Sequence, residues 1–180
     1  MKISHPQNIR LRTFLPQFLG SITIFLLFFL LGCEGDSLSP GQKAPDFTLE
    51  NTEGDEVSLS DYKGEYIILF FFGRSDNQSI VNHLKNFEED KTFYEDNRAV
   101  VIGVNHERKE LLVRAHEKYH LTYTLLSDES KKTIKNYGCQ GGFGGTAKRV
   151  TFIIGKDGTI LSVVDNNDSQ EHREELRSEF

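Results

Sequence analysis

YIILFFF, residues 66–72, runs directly into GRSDNQSI, residues 73–80, and that junction decides how the chain is built. Seven consecutive apolar residues with no polar alternation mark a strand covered on both faces. The glycine, serine, aspartate and asparagine that follow are turn and helix-start residues. From Asn77 onward, Ile80, Leu84, Phe87 and the pair Phe93-Tyr94 recur at three-to-four spacing, with acids and lysines between them. That spacing predicts one amphipathic helix over 77–96.

Outward from this strand-to-helix unit the pattern repeats. Residues 99–104 (AVVIGV) form a second covered strand, and Asn105 is placed to cap a helix over 107–119 with Leu111, Leu112 and Ala115 facing inward. Residues 123–126 make a short strand, and Ser127 or Asp128 caps a brief helix ending near Tyr137-Gly138. Residues 150–155 and 159–164 flank Lys156-Asp157-Gly158, where Asp-Gly signals a hairpin. Upstream, 47–50 and 57–59 alternate apolar and polar residues around the turn 52–55, a smaller hairpin. Strands alternating with helices and closing in a hairpin predict a three-layer α/β/α sandwich. Its central sheet is mixed, with an N-terminal β-hairpin.

The two ends read differently. Lys2, Arg10 and Arg12 precede an apolar run over 18–31, and no acid occurs before Glu34. Fourteen residues fall short of the roughly 20 that span a bilayer as a helix, so the pattern is that of an export signal. It closes in Leu30-Leu31-Gly32-Cys33, which resembles the bacterial lipoprotein signal, whose cysteine is acylated. The resulting expectation is a signal at 1–32, a polar tether at 33–41, a folded domain at 42–167 and a polar tail at 168–180 that frays. The product would sit in the cell envelope outside the cytoplasm, held to the lipid bilayer through Cys33. Once Lys2, Arg10 and Arg12 are removed, 18 basic residues face 27 acidic ones, a formal charge of −9. That balance argues against nucleic acid as a partner. With Cys33 acylated, Cys139 is the one remaining thiol of the two cysteines, so an internal disulfide cannot form.

Three segments taken together resemble a known family. GQKAPDFTLENTEGDEVSLSDYKGEYIILFFF, KYHLTYTLLSDESKKTIKNYGC and KRVTFIIGKDGTILSVV are similar, in order and spacing, to the peroxiredoxin (AhpC/TSA) family, its bacterioferritin-comigratory branch above all. The resemblance spans roughly 41–165. It implies a thioredoxin-like fold and, as family activity, thiol-based reduction of peroxides with no cofactor. In such proteins a cysteine near the start of the first long helix is the nucleophile, because exposed helix amides and the positive dipole end favour its thiolate. A proline and a threonine precede it, and an arginine from a later strand assists.

Counted without gaps, the proline, threonine and cysteine positions fall on Gly73, Asn77 and Ile80, and Arg149 falls on the arginine. The alternative Cys-x-x-Cys register of thioredoxin-like reductases falls on Asp76-Asn77-Gln78-Ser79. Neither register contains sulfur, and no oxygen side chain can cycle through sulfenic acid. The expectation is a degenerate, non-peroxidatic binding module, with a peroxide, thiol or protein ligand near Arg149. Ser75 or Asp76 is expected to cap the helix, and Arg149 to pair with Asp76. The alternative is a one-cysteine peroxidase or oxidoreductase working through Cys139, set against a buried, inert thiol. The run 141–145 (GGFGG) reads as a flexible loop. His116-Glu117-Lys118-Tyr119-His120 spells the H-E-x-x-H pattern of zinc hydrolases, a remote alternative since no third ligand follows. His83 and His106 read as surface or capping residues.

Overall fold

In the computed structural model the described residues are 38–141, 146–165 and 169–180. The expected signal, Cys33 and residues 142–145 of the glycine run lie outside them. The described chain forms β1 (Thr48–Asn51), β2 (Glu56–Ser58), a 3₁₀ turn (Leu59–Tyr62), β3 (Tyr66–Phe71), α1 (Gln78–Glu89), α2 (Lys91–Asp96) and β4 (Ala99–Asn105). It continues through α3 (Lys109–Tyr119), β5 (Thr124–Ser127), α4 (Lys132–Asn136), β6 (Val150–Ile154), β7 (Ile160–Val164) and α5 (Ser169–Ser178).

The seven strands make one sheet in the order β2-β1-β5-β4-β3-β6-β7. β3, β4 and β5 run parallel at its centre, with Ile68 opposite Val101 and Gly103 opposite Leu125. β1, β6 and β7 join antiparallel, so the mixed sheet predicted from the element pattern is formed. Along β3 the side chains alternate between two cores, as a period of two requires. Ile67, Leu69 and Phe71 enter one cluster with Phe152, Ile134 and Tyr137. Ile68, Phe70 and Phe72 enter the other with Leu84, Phe87, Tyr94 and Leu112. Both faces are therefore dry, which is why YIILFFF carries no polar alternation. Gly103 leaves room for the second cluster, since a Cβ there would lie 2.6 Å from Phe70 and 2.7 Å from Leu125.

Three expectations are corrected. The single helix over 77–96 is broken in two at Asp90, whose φ of −90° and ψ of 1° leave the helical region. Asp90 is buried and held by Arg173 and Arg177 of α5; that long-range ion pair does not appear in local periodicity. For the same reason the terminal segment is not a frayed tail. α5 packs on the domain with His172 and Leu176 buried. The last residues of the expected tether are also tied down, the Gly41 amide donating to the Ile160 carbonyl at 2.8 Å. The Asp-Gly hairpin forms with Gly158 at a φ of +80°, in the left-handed region. Among the described residues no helix is long and apolar enough to cross a membrane.

Candidate functional site

The C-terminal end of β3, the first turn of α1 and the approach to β6 enclose a cleft of about 630 Å³. Its walls include Gly73, Asp76, Asn77, Ser79, Ile80 and Arg149, six of the positions singled out in sequence, together with Arg74 and Lys148. Parallel strands place such a crevice beyond their carboxyl ends. Asn105, fully buried at the end of β4, fixes the turn: its Nδ2 donates to the Gly73 carbonyl and its Oδ1 accepts from the Glu107 amide at 2.5 Å. Glu107 in turn accepts from the Ser75 amide at 2.9 Å.

Neither Ser75 nor Asp76 caps α1. Asn77 does, its Oδ1 accepting from Ser79 at 2.9 Å and Ile80 at 3.4 Å. Sequence places Asn77 at the helix start and on the threonine position of the resemblance, with Ser75 or Asp76 as the expected cap. An Asn directly before an apolar three-to-four pattern is itself a cap signal. The consequence is chemical, because the two amides that would face a thiolate or bound anion at this helix start are already taken by a neutral side chain.

Asp76 does not pair with Arg149 either. Arg74, two residues away, takes its carboxylate in a fork of 3.1 and 2.7 Å. Their mutual hydrogen bonds hold the Arg74 guanidinium above and the Asp76 carboxyl below their ordinary ranges. Both are exposed, so this pair adds little stability. Arg149 donates Nη2 to the Ser79 hydroxyl at 2.9 Å instead. Four charged groups thus line the cleft, three cationic (Arg74, Lys148, Arg149) and one anionic. Sequence reasoning missed Arg74 and Lys148. The adjacent Lys148-Arg149 pair was the available signal for the second.

Ile80, at the position expected for the nucleophile, is 8% exposed and packs into the core cluster on the α1 side of the sheet. Cys139 lies in the cluster on the other side, 1% exposed, beside Tyr137, Phe152 and Ile134. Its backbone does approach the cleft, the carbonyl accepting from the Lys148 amide at 2.8 Å. The thiol turns inward, toward the Tyr137 carbonyl at 3.5 Å. Burial pushes it up to about 12, with Asp165 adding to the shift, so thiolate is scarce at neutral pH. The buried, inert reading of Cys139 is the one its surroundings support. Cys33 lies outside the described residues.

The remaining candidates come apart. α3 ends at Tyr119 and His120 is left-handed at a φ of 53°, so His116 and His120 do not share a helical face as H-E-x-x-H requires. Among the described residues no group of three His, Cys, Asp or Glu is arranged to hold a metal. His83, expected at the surface, is 1% exposed within the core between α1 and α5. His106 is half-buried at the end of β4, and desolvation lowers its pKa.

Comparison with known proteins follows the same lines. The model of the AhpC/TSA family matches residues 40–163. A putative Bcp peroxiredoxin of Coxiella burnetii is 34% identical over 137 residues, covering 71% of this chain and 88% of its own. Peroxiredoxin Bcp of Bacillus subtilis is 33% identical over 130 residues, covering 67% and 81%. Among solved structures, peroxidoxin BcpB of Mycobacterium tuberculosis superimposes with a TM-score of 0.74 at 22% identity, over 78% of this chain and 95% of its own. A PrxQ mutant of Xylella fastidiosa gives 0.71 at 18%, over 81% and 99%. These two likenesses carry the thioredoxin-like fold, while the family model and the sequence relatives carry the lineage. The chain belongs to the AhpC/TSA family, with its Bcp peroxiredoxins among the relatives it resembles.

Proposed function

We propose that this protein is a lipid-anchored, extracytoplasmic member of the family that binds an anionic ligand in the cleft and does not turn over peroxide. The carrying observation is the separation of the parts. The Arg149 position is kept in the cleft, the nucleophile position holds Ile80, and Cys139 is buried on the opposite face of the sheet. Peroxide reduction needs a thiolate within contact of the peroxide, and none among the described residues lines this cleft. What remains is a hollow of about 630 Å³ with an excess of cations in an acidic protein, suited to a carboxylate- or phosphate-bearing small molecule.

Hydrogen peroxide consumption by the full chain, with mass spectrometry of Cys139, tests the first half. The expected result is a rate equal to that of Cys139→Ser and no fast sulfenic acid. Rapid oxidation lost in Cys139→Ser would establish the one-cysteine peroxidase instead. Calorimetric titration with inorganic phosphate tests the second half: binding that weakens about tenfold in Arg149→Ala supports it, and no heat, or equal affinity in the variant, removes it. Anchoring is read by fractionation, where Cys33→Ala should move the chain out of the membrane fraction.

A further inference from the structure

α5 closes over the α1 side of the sheet, and two histidines meet beneath it. His83 of α1 and His172 of α5 stand with ring centroids 4.6 Å apart at 65°, exposed by only 1% and 2%. His172 Nε2 shares a 2.9 Å hydrogen bond with the Thr151 hydroxyl of β6. His83 packs edge-on against Phe70 and Phe87, and its Nε2 is buried with no hydrogen-bond partner. A buried polar atom left this way is costly and asks for an explanation. The void beside the pair, lined by Asn86, Asp90, Arg173 and both histidines among others, is about 10 Å³. That is room for at most one water and too little for a counterion.

The charged groups facing the pair determine what protonation does. Arg149, one residue before β6, disfavours a charge on either ring. The carboxylate nearest by element, Asp90 at the end of α1, is occupied by Arg173 and Arg177 of α5. Glu89 also takes Arg173. β3 contributes only the apolar Phe70. An imidazolium formed here would be dry and next to a guanidinium and a second imidazole, and among the described residues no carboxylate acts on either ring. Moving α5 away would relieve all three penalties at once, because it carries one ring out and exposes the other.

We infer that the His83–His172 contact is an acid-sensitive latch, which holds α5 on the domain when both rings are neutral and releases it when they become charged. Release would bare the strip of Phe87 and Tyr94 that α5 covers, while the sheet stays intact. Desolvation lowers both rings, His172 to about 4, against about 6.5 in an exposed position. The docked helix is therefore favoured fully above pH 6.5 and progressively less as pH falls. His172 alone shifts the docking equilibrium about 30-fold between pH 8 and pH 5 by linkage. The latch does not depend on what the cleft holds.

Amide hydrogen exchange of the full chain, followed by mass spectrometry and corrected for intrinsic rates, reads it directly. Peptides covering 169–180 should open at least about 30-fold more at pH 5 than at pH 8, with β3 and β4 unchanged. His172→Gln, which keeps a donor toward Thr151 and cannot charge, should remove the His172 share of the response and leave only that of His83. His83→Phe, which keeps the ring packing, should shift its midpoint to lower pH and serves where the first variant folds poorly. Equal protection of α5 at both pH values would overturn the inference. So would undiminished acid sensitivity in both variants, or opening of α5 only together with the central strands.

Discussion

At the scale of single residues, environment decides what a functional group can do. Cys139 and a catalytic cysteine are the same side chain, but Cys139 sits among Tyr137, Phe152 and Ile134, where burial and Asp165 outweigh the pull of Lys148 toward thiolate. Desolvation raises its pKa to about 12. Alkylation by iodoacetamide at pH 7.5 should therefore be at least about 100-fold slower in the folded chain than in denaturant, since reaction needs both opening and ionisation. Quantifying modified Cys139 by mass spectrometry checks this, and equal rates would place the thiol at the surface. Asn77 shows the converse case, a residue with a structural task at the position where the family resemblance leads one to expect a threonine. Asn77→Ala should cost about 1 kcal/mol by releasing the Ser79 and Ile80 amides, measurable by urea denaturation.

Elements here are held by partners distant in sequence. α1 and α2 would be one helix by periodicity, and they part at Asp90, whose carboxylate meets Arg173 at 2.6 and 2.7 Å and Arg177 at 2.9 Å. These are charge-assisted bonds to a group exposed by only 3%, the stronger kind of hydrogen bond. Arg173→Ala should destabilise the domain by about 2 kcal/mol, with Arg177 left to satisfy part of the carboxylate. Thermal unfolding should show the loss, and α5 exchange should rise before that of β4. No change in either would mean the ion pair is decorative. The prediction separates α5 as an integral layer from α5 as an appended tail.

For the whole molecule, pH dependence follows from the buried groups of both cores. His83 and His172 are depressed in the folded state, so the unfolded chain takes up protons first as pH falls below 6.5. Stability is full above that value and declines through about pH 4, by on the order of 3 kcal/mol from His172 alone. Cys139 acts in the opposite direction. Its thiol is raised, so the unfolded chain ionises first and stability declines as pH rises above 9. Denaturation midpoints measured from pH 4 to 11 should trace a plateau between about 6.5 and 9 with a fall on each side. A midpoint that rises on acidification below 6.5 would contradict the buried histidines.

Local pattern conveyed the architecture. Two uninterrupted apolar runs, the Asp-Gly hairpin and the alternation of periods were enough for the mixed α/β sandwich, because strand burial and turn chemistry are written in adjacent residues. The absence of sulfur at residues 76–80 was equally plain, as it needs no coordinates. Only the tertiary structure assigned partners: Arg74 rather than Arg149 to Asp76, Asn77 rather than Ser75 to the helix start, and α5 to Asp90. It also sent Cys139 to one face of the sheet and Ile80 to the other, and drew His83 inside against His172. The Arg74 and Asn77 contacts are local, among several neighbouring partners that spacing alone leaves open, and the others share one physical reason. A hydrogen bond, an ion pair or a burial event depends on which groups meet in space, and for residues 70 or 80 positions apart no spacing along the chain records that meeting.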